Sequence, residues 1–214
     1  MDEALPIAGV HLMRAERVLY VRSDAPLAVL SSAVVGGELD CARHIMNMQV
    51  PRGYACPSPA ADLEAMAHEL GIVEPFVGLM TAANVEQARV VVERDETMTV
   101  VAVVTVGLGN PVAAGVTEVF EAGPGTINII LVVEAQLSQA ARVNAVITAT
   151  EAKTLALVEA GVRAPHGGPA SGTSTDAIVI ASTGRGISAA YAGPITPAGA
   201  LIARAVRRAV GTEQ

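Results

Sequence analysis

Large aromatic rings are almost absent: no tryptophan, two phenylalanines and three tyrosines stand in 214 residues. A core without rings is built from Ala, Val, Ile, Leu and Met, which favours close helix-to-sheet contact. Lysine is scarcer still, since Lys153 is the single lysine among fourteen cationic residues. With a formal net charge of -7 there is no broad basic face to follow a phosphate backbone, which argues against nucleic acid as a partner. Cys41 and Cys56 are too few for a disulfide framework, so reduced thiols and a cytoplasmic setting are expected. Met1-Asp2-Glu3 is acidic where a secretory leader is basic. No apolar run approaches the ~20 residues needed to span a bilayer, so no membrane insertion is expected.

What the chain does contain is aliphatic: 51% of it is hydrophobic and 16% charged, a balance for extensive burial rather than disorder. A single domain spanning residues 1–214 is expected, with no repeat, linker or low-complexity tract to divide it. Arg17 to Val21 and Leu27 to Leu30 read as strands of a hairpin around Ser23-Asp24-Ala25-Pro26. Ala88 to Glu93 and Thr97 to Val106 read as a second hairpin bent at Asp95-Glu96, its second strand central because it is apolar on both faces. Thr126 to Val133, after the turn Gly123-Pro124-Gly125, and Asp176 to Ala181 add further strands.

Three helices are expected. One runs near 59 to 70, between the Ser58-Pro59 cap and Gly71. One starts at Ser138 and closes at Gly161, and one starts at Thr196-Pro197 with Arg204, Arg207 and Arg208 toward its C-terminus. In the middle helix Val143, Val146, Ile147, Thr150, Thr154, Leu157 and Val158 share a stripe that reads as the core face. Ala145, Ala149, Ala152 and Ala156 on the other side suit a second packed layer. The fold class is therefore α/β of the α+β type: a mixed, mostly antiparallel sheet covered by helices.

Chemistry concentrates at Gly172-Thr173-Ser174-Thr175-Asp176-Ala177, where a glycine turn with hydroxyls and one acid enters an apolar strand. Asp176 is a candidate base, with Thr173 or Thr175 as hydroxyl nucleophile or orienting donor and direct water attack equally open, and Gly172 permits close backbone approach. The competing reading is a hydroxyl or Asx turn in which Asp176 caps backbone amides. Glu151 and Lys153 border the middle helix's stripe on opposite edges and cannot pair with each other, leaving an acid-base role or ordinary snorkelling. A buried lysine there needs a partner.

Asn47 and Asn128 offer amides beside apolar runs, ahead of Asn110 in a Gly-rich loop. Met80 and Thr81 suit the lining of a wide apolar pocket. Cys41-x-x-His44 with distant Cys56 lacks a full ligand set, so no metal is expected.

Read in order, Ser31-Ser32-Ala33-Val34-Val35-Gly36-Gly37, Asn47-Met48-Gln49-Val50, Gly78-Leu79-Met80-Thr81-Ala82-Ala83, Gly125-Thr126-Ile127-Asn128-Ile129, Ala149-Thr150-Glu151-Ala152-Lys153 and Gly172-Thr173-Ser174-Thr175-Asp176-Ala177 resemble the adenosylcobinamide amidohydrolase family, the CbiZ type of corrinoid-salvage enzyme. The resemblance covers roughly residues 17 to 210. It implies hydrolysis of the amide that joins aminopropanol to the corrin ring, giving adenosylcobyric acid and 1-amino-2-propanol. The corrinoid is then substrate, and no separate cofactor is expected.

Asp176, Thr173 and Glu151 lead the catalytic candidates, with Thr175 and Lys153 behind them. Asn47, Thr126, Asn128, Met80, Thr81, Gly125 and Gly172 are the candidate corrinoid contacts. A non-catalytic corrinoid carrier, or an amidase or acyltransferase on another small amide, stays open. A homo-oligomer is compatible with a chain of this size, though no interface is legible.

Overall fold

The computed structural model describes residues 2–119 and 125–211. The chain opens with β1 (Asp2–Ala4), β2 (Val10–Ala15), a 14-residue β3 (Val18–Ser31) and β4 (Cys41–Gln49). Helix α1 (Pro59–Glu69) leads to β5 (Phe76–Thr81), β6 (Arg89–Arg94), β7 (Thr99–Val106) and the short β8 (Pro111–Val112). Then come β9 (Ile127–Val133), β10 (Gln136–Leu137), α2 (Gln139–Glu159), β11 (Gly172–Thr173), β12 (Ala177–Ser182), β13 (Ser188–Ala189) and α3 (Pro197–Val210). The expected turn at Gly123-Pro124 lies outside the described residues.

Nine strands form one mixed sheet in the order β1-β2-β3-β12-β9-β7-β6, with β4 and β5 branching from β3. Most of its pairings are antiparallel, as expected; β4 with β5 and β9 with β12 are the parallel ones. Each parallel pair is bridged by a helix, α1 for the first and α2 for the second, because parallel neighbours need a long crossover.

The sheet sorts its side chains by parity. Val100, Ala102, Val104, Ile129, Leu131 and Ile180 face α2 and α3. Val101, Val103, Ile130, Val132 and Val179 face the other way and meet Leu12, Leu19, Ile45 and Leu79 of β2 to β5. The sheet thus curls over a second core, while α1 covers the far side of β4 and β5 through Met46, Met48, Leu63 and Phe76.

Local signals map onto these elements. Asp95 bends the β6–β7 hairpin, its Oδ1 accepting from the N–H of Thr97 at 2.8 Å and of Met98 at 3.0 Å. Ser138 and Thr196 cap α2 and α3 by accepting from Ala141 and Gly199. Ser58 occupies the N-cap of α1 without a side-chain cap bond. Gly71 and Gly161, both at positive φ, follow the ends of α1 and α2.

Two expectations change. The hairpin between Arg17 and Leu30 is instead one continuous strand: residues 18–23 pair with β2, residues 28–31 with β12, and the register against β4 shifts between Arg22 and Leu27. The turn-like Ser23-Asp24-Ala25-Pro26 is a bulge that bends β3, a place a strand tolerates proline. Here β2 provides the antiparallel partner, so the chain need not fold back on itself. The second change is the face of α2. Ala141, Ala145, Ala149, Ala152 and Ala156 point inward, while Val143 and Ile147 are 47% and 49% exposed. A helix packed closely against both α3 beside it and the sheet beneath it requires short side chains at those contacts, and the branched residues are displaced outward.

Candidate active site

The curl brings the C-terminal ends of β4, β5 and β7 against the N-terminal ends of β9 and β12. Where they meet, a polar seam runs through otherwise aliphatic packing. Asn47 donates to the Thr105 hydroxyl at 3.0 Å, and its Oδ1 accepts from Asn128 Nδ2 at 2.9 Å. Asn128 also donates to the Met80 carbonyl at 2.8 Å. The Thr126 hydroxyl reaches the Thr175 carbonyl at 2.6 Å and lies 3.2 Å from Asn128 Oδ1. All four of Asn47, Thr105, Thr126 and Asn128 are buried, so this bonding offsets the loss of water.

At the end of the seam Asp176 meets Lys153. Their charged atoms are in contact, with the Lys153 side chain only 8% and the Asp176 side chain 12% exposed. Asp176 Oδ2 also accepts the Thr173 N–H at 3.1 Å, and Oδ1 accepts the Ile127 N–H at 3.0 Å and the Thr173 hydroxyl. A charge pair removed from water is held only when its remaining sites are bonded, and here the carboxylate is ringed with donors. Gly172 makes room for it: a Cβ at that position would lie 2.3 Å from Asp176 Oδ2 and 2.6 Å from Lys153 Nζ. The close approach that glycine permits is therefore to the ion pair.

Three open cavities surround the cluster. One of about 520 Å³ is walled by Val50, Tyr54, Leu79, Met80 and Thr81, with Asn128, Thr175 and Asp176 at its base. A second of about 890 Å³, carrying Arg52, Asn84, Gln87 and Arg89, adjoins the first at Ala82 and Gly125. A third of about 460 Å³ lies along α2 and contains Lys153. Asp176 and Ser32 line both the first and the third. Tyr54 is tied to α1 through Asp62; desolvation and that acceptor raise its pKa, so the rim of the first cavity is a neutral phenol.

The structure gathers most of the sequence candidates here. Asp176, Thr173, Lys153 and Gly172 form one contact group, and Asn47, Asn128, Thr126, Met80 and Thr81 another beside it. Thr175 lines the first cavity and donates to the Gly125 carbonyl at 3.0 Å. Thr173 is buried, its hydroxyl committed to Asp176 and lying 3.3 Å from the Gly125 carbonyl.

Glu151 is not brought in. It is exposed on α2, about 200° around the helix from Lys153 at ~100° per residue. Asn110 reaches the same loop through Ser174. Ser32, Tyr54 and Thr105 belong to the neighbourhood although the sequence did not single them out; Ser32 alone had a signal, its place in the Ser31-Ser32 block. Among the described residues no three His, Cys, Asp or Glu side chains gather for a metal, and Cys41 and Cys56 are both free.

A model of the adenosylcobinamide amidohydrolase family matches residues 4–212. The chain belongs to that family. A Methanosarcina mazei protein named adenosylcobinamide amidohydrolase is 39% identical over 166 residues, covering 78% of this chain and 74% of the relative. A Halobacterium salinarum protein of the same name is 35% identical over 113 residues, covering 50% and 46%. Among solved structures, the PH0078 protein of Pyrococcus horikoshii superposes with a TM-score of 0.51 at 12% identity, over 98% of this chain and 80% of that one, a likeness of fold alone. Within the family match stand both the polar seam and the Lys153–Asp176 pair, 23 residues apart along the chain.

Proposed function

We propose that the protein is an amidohydrolase acting on adenosylcobinamide, cleaving the amide between the corrin ring and aminopropanol. The observation that carries this reading is the buried Lys153–Asp176 pair, opening at Asp176 onto a wide, mainly aliphatic cavity, in a chain matched by the family over residues 4–212. The joined first and second cavities suit a broad, flat ligand, with an apolar wall for the ring and amides or arginines at its rim. The corrinoid is substrate, and the chemistry assigned here uses only side chains of the protein.

Amide hydrolysis needs a polarised water, stabilisation of the oxyanion and a proton for the departing amine. Both Asp176 oxygens already accept hydrogen bonds, so the carboxylate gains a free lone pair only when one donor leaves. Lys153 is the donor able to leave, because its ammonium rides on a flexible four-carbon stem while the others are backbone or a buried threonine. As the carbonyl oxygen of the substrate draws the ammonium toward itself, Asp176 Oδ2 becomes free to accept a proton from water. Hydroxide adds to the carbonyl carbon, Lys153 stabilises the oxyanion, and Asp176 passes its proton to the nitrogen as the C–N bond breaks.

In this scheme Thr173 orients Asp176 and is not the nucleophile, since its proton is held by the carboxylate. The two free thiols and the family's salvage chemistry support a cytoplasmic setting.

Incubation of purified protein with adenosylcobinamide, followed by mass analysis, should yield adenosylcobyric acid and 1-amino-2-propanol. Tight corrinoid binding without amine release would make the protein a carrier, and no interaction at all would end the reading.

A further inference from the structure

The cavity along α2 stands apart from the two read above as the ring's place, yet it shares Asp176 and Ser32 with the first of them. Its walls are Val143, Val146 and Ile147 on the helix and Leu30 and Ile178 on the sheet. Val143 and Ile147 are the branched residues that the alanine face displaced outward, and each remains about half exposed. Lys153 lines this cavity and not the other two. The Ser32 hydroxyl accepts the Ile178 N–H at 3.1 Å and stands at the boundary between the two cavities.

We propose that this cavity is the subsite for the departing amine, and that it admits aliphatic amine arms bulkier than aminopropanol. The proposal rests on the hydrolytic reading and deepens it. Its direction follows from size: the first cavity continues into a second at Ala82 and Gly125 and offers width for the ring. The α2 cavity meets the first at the reactive carboxylate and leaves only the small arm to be placed.

Aminopropanol has five heavy atoms, whereas about 460 Å³ corresponds to roughly fifteen waters at ~30 Å³ each. A small arm leaves most of that space unfilled, with its methyl group against Val143 and Ile147. A branched hydrocarbon arm fills more of it and removes more apolar surface from water. The chemical class of the additional leaving groups is therefore uncharged, branched aliphatic amines in amide linkage to the same corrin acid.

The test compares kcat/KM for adenosylcobinamide with that for adenosylcobyric acid amidated with 3-methylbutylamine. The wild-type protein should cleave both within about tenfold of each other, the low end of what one methylene decides in a pocket. Ile147→Trp fills the cavity and should lower the ratio of bulky to natural substrate by at least about tenfold. Val143→Phe provides a second variant should the first fold poorly, and Leu155→Trp, exposed on the same helix but outside the cavity, should leave the ratio unchanged.

An unaltered ratio in the folded cavity variants, or a wild-type rate on the bulky amide lower by about 10³-fold or more, overturns the subsite while leaving the hydrolase intact. Failure to release aminopropanol from the natural substrate overturns both.

Discussion

Helices α2 and α3 lie against the same face of the sheet, yet they obey different rules. In α3, pattern and burial agree: Leu201, Ile202, Ala205 and Val206 are all fully buried, and Arg204, Arg207 and Arg208 reach outward to Glu93 and Glu159. In α2 they conflict, since alanines and a lysine are buried while valine and isoleucine meet solvent. A helix whose pattern matches its burial is scaffold. A helix that buries its only lysine and exposes branched hydrocarbon has given up some packing to present both to a cavity. Sites are where such local conflicts are expected.

The contrast can be broken most forcefully at Lys153. Lys153→Met leaves Asp176 without its cation, so turnover should fall by at least about 10²-fold, with a stability loss of about 3–5 kcal/mol by urea titration. Normal turnover in a folded Lys153→Met protein would reduce α2 to scaffold like α3. Gly172→Ala comes next, because its Cβ meets both charged atoms of the pair. A displacement near 1 Å should lower kcat by about 10²-fold, and wild-type kinetics would show that the pair needs no fixed geometry.

On the scaffold side, Leu201→Ala in α3 should cost about 2–5 kcal/mol through the cavity it opens, with kcat per folded molecule unchanged. A large kcat defect there would erase the distinction between the helices.

The smallest effect concerns acid. Burial alone would raise the pKa of Glu93, but hydrogen bonds from Arg208 and Arg204 outweigh it and hold the carboxylate below its usual range. A carboxylate depressed in the folded state stabilises above its unfolded pKa and loses that contribution as pH falls through the folded value. Glu93→Gln should therefore flatten the acid side of the stability profile without touching the activity profile. An unchanged stability profile would mean that the Arg204 and Arg208 pairs with Glu93 contribute nothing.

Sequence legibility followed the range of the interaction. Caps at Ser138 and Thr196, the Asp95 bend and the glycine stops depend on atoms within a few residues, and each was readable. The N-terminal hairpin failed because the partner of β3 is β2 and not the second half of its own residues, a choice made between distant segments. The inward face of α2 failed similarly: hydrophobicity favoured the valine and isoleucine stripe, whereas close packing against both α3 and the sheet favoured alanine. Ser32 was visible as a motif member but had no assigned chemistry until Asp176 stood beside it across a shared cavity boundary.

By itself the sequence determined the aliphatic α/β character, the three helices, the ordered family blocks and the types of side chain available for chemistry. Backbone propensity, capping and periodicity act locally and are written in neighbouring residues. Only the tertiary structure decided that Lys153 pairs with Asp176, that Asn128 bonds Asn47 from 81 residues away, and which helix face borders a cavity. Those outcomes depend on how far the sheet curls and how closely two helices approach it, and both are set by packing of the whole chain at once.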